Sequence, residues 1–149
     1  MSNHLGDFEM QLTMFTDYAL RSLIFLAKRP KELASVKEIA AYYGISRNHL
    51  VKVIHRMVTL GLIASSKGRG GGVKLIGKPE DMRLGDIVQK IENMEMVECF
   101  NKDTNTCRIS DVCQLKHFLF EATQNFIQTL NEYTLADAAK DVPMLVKHL

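Results

Sequence analysis

The chain has 149 residues, 46% hydrophobic and 24% charged, with a formal net charge of +2. This is enough apolar material for the core of one domain, or a small domain with an appendage, without disulfide staples. The longest apolar run, Leu23 to Ala27, is far too short to span a membrane, and no basic-then-apolar signal pattern opens the chain, so a reducing cytoplasm is expected.

The small net charge conceals an asymmetry. Residues 1–80 carry 12 Lys and Arg against 6 Asp and Glu, a net of +6, whereas residues 81–149 carry 7 against 11, a net of −4. That division points to nucleic acid at one end only.

Residues 1–9 show no clean period and read as a loose leader, with Met10 as a second possible start. Leu20, Leu23, Ile24 and Ala27 then form one helical stripe. Thr16 is its expected cap, Asp17 falls in its first turn, and Arg29-Pro30 stops it. Ser35 to Glu38 is a capping box opening a helix with Val36, Ile39, Ala40 and Tyr43 on one face. A turn at Gly44-Ile45 leads to Ser46, the cap of a helix that buries Leu50, Val53, Ile54 and Met57 and ends at Gly61. Two helices joined by a short glycine-containing turn make a helix-turn-helix.

The second helix of such a pair enters the major groove with its N-terminal residues at the base edges. Arg reads guanine and Asn reads adenine, each with two hydrogen bonds. Ser46, Arg47, Asn48 and Lys52 are therefore the expected contacts, with His49 and His55 as weaker candidates for phosphate. Leu62 to Ser66 and Val73 to Ile76 flank a basic, glycine-rich tip, which predicts a β-hairpin wing. Lys67 is placed on phosphate and Arg69 in a minor groove. No Gly-Lys-Ser/Thr follows the glycines, so this is not a Walker phosphate loop.

Lys78-Pro79 closes the wing, and a short helix is expected from Leu84 to Ile91. All three cysteines follow on one polar loop, with seven residues between Cys99 and Cys107 and five between Cys107 and Cys113. Thiolates are soft ligands suited to iron–sulfur clusters or zinc. The polar neighbours argue against a packing role, and the odd count argues against a disulfide framework. Redox thiols without metal are the alternative. Asp111 and Gln114 read as the start of a long helix with Cys113 in its first turn, where the dipole favours thiolate. Leu115, Phe118, Leu119, Ala122, Phe126, Leu130 and Tyr133 make an apolar seam over about five turns, which calls for a partner helix and so a homodimer. Thr134 caps a last short helix, and Pro143 begins a tail.

The expected fold is mainly α with a small β-hairpin: a winged helix-turn-helix over 10–80, a connecting helix over 81–98, the cysteine loop over 99–113, and a long dimerisation helix with a short C-terminal helix over 114–140. No acid–base pair, nucleophile elbow or cofactor fingerprint is present, so no enzyme is expected.

Four segments, Met10 to Arg21, Tyr43 to Lys52, Gly70 to Leu75 and Asn131 to Asp137, resemble in order the nitric-oxide-sensing repressors of the Rrf-two family of winged-helix iron–sulfur regulators. The resemblance implies a homodimer that represses genes for nitric oxide detoxification while it holds a cluster, usually 4Fe–4S, with 2Fe–2S as the alternative. It implies Cys99, Cys107 and Cys113 as ligands, with a carboxylate matching Asp17, given by the other subunit, as the fourth. The first two cysteines stand further apart here than in those relatives. That keeps His117 as another candidate, because the sister regulator of iron–sulfur homeostasis uses a His shortly after its last cysteine. The competing readings are a regulator of cluster assembly or cysteine metabolism in the same family, and a small iron–sulfur electron-transfer protein. The latter would need neither recognition helix nor basic wing.

Overall fold

A computed structural model describes residues 10–143; the leader at 1–9 and the tail beyond Pro143 lie outside the described residues. Three helices come first: α1 (Met14–Ala27), α2 (Val36–Tyr43) and α3 (Arg47–Thr59). The antiparallel pair β1 (Ile63–Ser66) and β2 (Gly72–Leu75) follows, in register Ile63↔Leu75 to Ser66↔Gly72. The rest is α4 (Leu84–Ile91), α5 (Gln114–Leu130) and α6 (Leu135–Ala139).

The start of α1 differs from the sequence expectation. Thr13 is the cap, its hydroxyl accepting from the Thr16 N–H at 3.3 Å. Thr16 lies wholly buried one turn inside. Both threonines fit the local cap pattern; burying the inner one leaves the outer hydroxyl free to meet Glu92, described below. Asp17 keeps its place in the first turn.

The helix-turn-helix follows local rules. Glu38 N–H donates to Ser35 Oγ at 3.1 Å and Ser35 N–H to Glu38 Oε2 at 2.7 Å, closing the capping box. Gly44 ends α2 at φ 64°, a left-handed position that glycine adopts without Cβ strain. On α3, Leu50, Val53, Ile54 and Met57 are the buried residues, as their spacing predicts. The hairpin is fastened to the start of α2 by Ala34, which exchanges backbone hydrogen bonds with Val73 at 2.9 and 2.8 Å. A Cβ on Gly72 would stand 2.6 Å from the Ala34 carbonyl oxygen, so this approach requires glycine.

One core runs from Ala19 on α1 through Leu50 and Val73 to Ile87 and Leu135. The short α6 folds back onto α1, and its own capping box joins Thr134 and Asp137. Asn131 ties the end of α5 to α4 by accepting from the Asp86 N–H at 2.9 Å.

The long helix differs in two respects. Cys113 is its N-cap rather than a first-turn residue, and Asp111 does not cap it. The backbone before it is spent on a turn, Val112 N–H to Ile109 carbonyl at 3.0 Å, so the helix begins only afterwards. The helix also ends before the last residue of the expected seam, and the seam lies largely outside the face that packs on α4. Against α4, the helix buries Thr123 and Ile127, and the Thr123 hydroxyl is satisfied by the Leu119 carbonyl at 2.8 Å. Leu115, Phe118 and Phe126 remain 60, 61 and 38% exposed, and Tyr133 lies past the helix end at Leu130.

Candidate nucleic-acid interface and cysteine loop

Burying one side of α3 turns the other out. Arg47, Asn48, Lys52 and His55 are exposed on it, as are Ser46 and His49. Ser46 makes no side-chain capping bond, so its hydroxyl and the first-turn N–H groups stay available to a phosphate. Among the described residues no ion pair engages Arg47, Lys52, Lys67 or Arg69. Their charge is therefore free for DNA. Val51 is 47% exposed within this stripe, one turn past Arg47, and an apolar tip there suits a thymine methyl. Nothing in the sequence singles Val51 out, since valine carries no base-reading hydrogen-bond group.

Lys67 and Arg69 occupy the exposed tip of the hairpin. The glycines around them serve the turn itself as well as close approach to a backbone. Gly70 has φ 71°, and a Cβ on Gly71 would collide with the Ser66 carbonyl oxygen at 2.3 Å.

The cysteine loop leaves α4 at Glu92 and joins α5 at Cys113. Cys99 and Cys113 are half-buried, Cys107 is exposed, and all three are free thiols. The polar residues between them fold the loop. Asn101 Oδ1 accepts from Asp103 N–H at 3.0 Å, Asn105 Oδ1 accepts from Cys107 N–H at 2.9 Å, and Asn105 Nδ2 donates to Ser110 Oγ at 2.8 Å. Phe100 packs edge-on against Phe120 of α5, ring centroids 6.1 Å apart. Glu98 accepts two hydrogen bonds from Thr106, and these hold its carboxyl below the usual carboxylate range.

Within this chain the expected ligands are not assembled. Among the described residues, no three His, Cys, Asp or Glu side chains are grouped to hold a metal ion. Asp17 is engaged elsewhere: Arg21 donates to both its oxygens, at 3.0 and 2.7 Å, with both side chains a little under half exposed. Cys99 and His117 do line one open cavity of about 500 Å³, together with Glu95, Lys102 and Lys116. The donor chemistry nonetheless suits a cluster, since three free thiols sit on one segment with none consumed in a disulfide.

Comparison with known proteins agrees with this architecture. The family described as Rrf2, iron-dependent transcriptional regulator, matches residues 12–141. The HTH-type transcriptional regulator NsrR of Bacillus subtilis is 49% identical over 142 residues, covering 94% of this chain and 97% of that protein. Its counterpart in Shouchella clausii is 50% identical over 130 residues, covering 86 and 87%. Among solved structures, T. potens IscR superposes with a TM-score of 0.73 at 23% identity over 97% of this chain and 96% of its own. CymR, the global cysteine regulator of B. subtilis, gives 0.70 at 23% identity over 90 and 99%. These two likenesses establish the winged-helix fold. No helix among the described residues is long and apolar enough to cross a membrane. On the match across its length and the half-identity to curated relatives, the chain belongs to the Rrf2 family of transcriptional regulators and is not an enzyme.

Proposed function

We propose that the chain is a cytoplasmic, homodimeric repressor whose hold on promoter DNA depends on an iron–sulfur cluster and is released by nitric oxide. The observation that carries this is one of placement. An unpaired basic stripe on α3 and the wing stands in the same chain as three free thiols that lead into α5. The half-identity to regulators named NsrR supports the choice of signal. The fold shared with IscR and CymR does not select the signals of those proteins.

Cys99, Cys107 and Cys113 are the residues that would hold the cluster, 4Fe–4S in the first instance. Asp17 of the partner subunit is the fourth donor, with His117, which lines one cavity with Cys99, as the other candidate. A bound cluster supplies iron that nitric oxide can attack. As a hard oxygen donor, Asp17 would hold the weakest of the four positions, and to serve there it must give up at least part of its Arg21 pair. Because α1 packs on α3 through the common core, the position of Asp17 bears on the recognition helix. The exposed phenylalanines of α5 support the dimer this arrangement needs.

Protein purified without oxygen should show cluster absorbance and bind its promoter, and should lose both on nitric oxide treatment. Changing Cys99, Cys107 or Cys113 to Ala should each strip iron and sulfide while the chain stays folded. Promoter affinity unchanged by nitric oxide would refute the sensor reading.

A further inference from the structure

The cysteine loop carries a fastener that the ligand assignment does not use. Glu98 Oε1 accepts from the Thr106 backbone N–H at 2.5 Å and from its hydroxyl at 2.6 Å. Glu98 is the residue just before Cys99, and Thr106 the residue just before Cys107. Neighbouring Cα atoms are about 3.8 Å apart, so fastening Glu98 to Thr106 limits how far apart the following pair can stand. Unfastened, the segment between the two cysteines could extend to roughly 28 Å.

Each end of the fastened loop also has a hold that does not pass through Glu98. Phe100 anchors the Cys99 side on Phe120, and the Asn105 side chain holds the Cys107 backbone. Cys113 is fixed instead by its place at the head of α5. From this geometry we infer that Glu98 is a positioning residue, holding Cys99 and Cys107 together as a preformed pair before any metal arrives. Its carboxylate touches neither thiol's role as a donor; it shortens the search that the loop must otherwise make.

The inference rests on the reading of Cys99 and Cys107 as ligands, but its test needs no iron. Phenylarsine oxide bridges two thiols only when they can approach one another, and is added to the full-length, reduced, metal-free protein. In a Cys113→Ser background, Glu98→Ala should slow capture by the Cys99 and Cys107 pair about tenfold. Thr106→Val, which deletes only the hydroxyl, should slow it less, and Glu98→Gln, which keeps an acceptor, should restore most of the rate. In a Cys99→Ser background, the Cys107 and Cys113 pair should be captured at an unchanged rate. Equal slowing of both pairs, the mark of general disorder in the loop, would overturn the positioning role, as would no slowing in either. Failure of the ligand reading shows elsewhere, as full iron and sulfide content in Cys99→Ala or Cys107→Ala.

Discussion

Arg47 and Lys67 are both exposed cations, and the proposed DNA interface gives them different work. Arg47 opens α3, where a guanidinium can meet a guanine edge with two hydrogen bonds. Lys67 opens the hairpin tip, where an ammonium meets phosphate whatever the base. Arg47→Ala should therefore weaken promoter binding by about 1–3 kcal/mol and flatten the preference for promoter over scrambled duplex. Lys67→Ala should weaken both duplexes alike and reduce the slope of log affinity against log salt by about 1. Anisotropy titrations of both duplexes at several salt concentrations measure these outcomes. An affinity independent of salt would remove the electrostatic basis of the interface. The exposure of Arg47 was legible in the sequence because the apolar spacing of α3 fixes which face is left outside, and that of Lys67 because glycines mark the hairpin tip. Glu98 was not, since its partner stands eight residues away with no periodic pattern between them.

At the scale of elements, the joint between α1 and α4 has no local signal at all. The Thr13 N–H and hydroxyl donate to Glu92 Oε2 at 2.9 and 3.0 Å, across 79 residues of sequence. Thus one carboxylate at the end of α4 holds the cap residue of α1. Partial burial pushes the Glu92 carboxyl up, but hydrogen bonds from Thr16, Thr13 and Asn93 outweigh this and hold it below its ordinary value. A carboxyl lowered in the folded state adds stability above its unfolded value, about pH 4.3, and that stability is lost as the pH falls through the lower folded value. Glu92→Gln should cost about 1 kcal/mol at pH 7, a modest figure because solvent screens a partly exposed group. The deficit should shrink as the pH falls below 4. Urea unfolding of metal-free protein at both pH values tests this; a deficit that ignores pH would show that the charge is not what holds the joint. The contrast with α2 explains what the sequence reveals about elements. The Ser35 and Glu38 capping box is a pattern three residues long and can be read directly, as can the turn at Gly44. The inward face of α5 could not be read, because its buried pair, Thr123 and Ile127, is less apolar than the phenylalanines it leaves outside.

For the whole molecule, the proposal asks two things of a second copy: to cover the exposed phenylalanines of α5 and to give the fourth ligand to three thiols of one chain. The local alternative for Asp17 is sufficient in itself: an acidic residue in the first turn of α1 favours the helix dipole by about 0.3–1 kcal/mol and pairs with Arg21 four residues on. Only an experiment that separates subunits can decide between the roles. A mixed dimer would combine an Asp17→Ala subunit that keeps its cysteines with a subunit lacking all three cysteines but keeping Asp17. If donation crosses the interface, this dimer has one complete site, and its cluster should withstand oxygen and nitric oxide as well as a wild-type site does. If donation stays within a subunit, it has none. A mixed dimer no more robust than the Asp17→Ala homodimer would rule out donation by the partner. The same dimer should also bind promoter DNA more tightly than that homodimer, because the Asp17 that completes the site sits on the α1 that packs against one of its recognition helices.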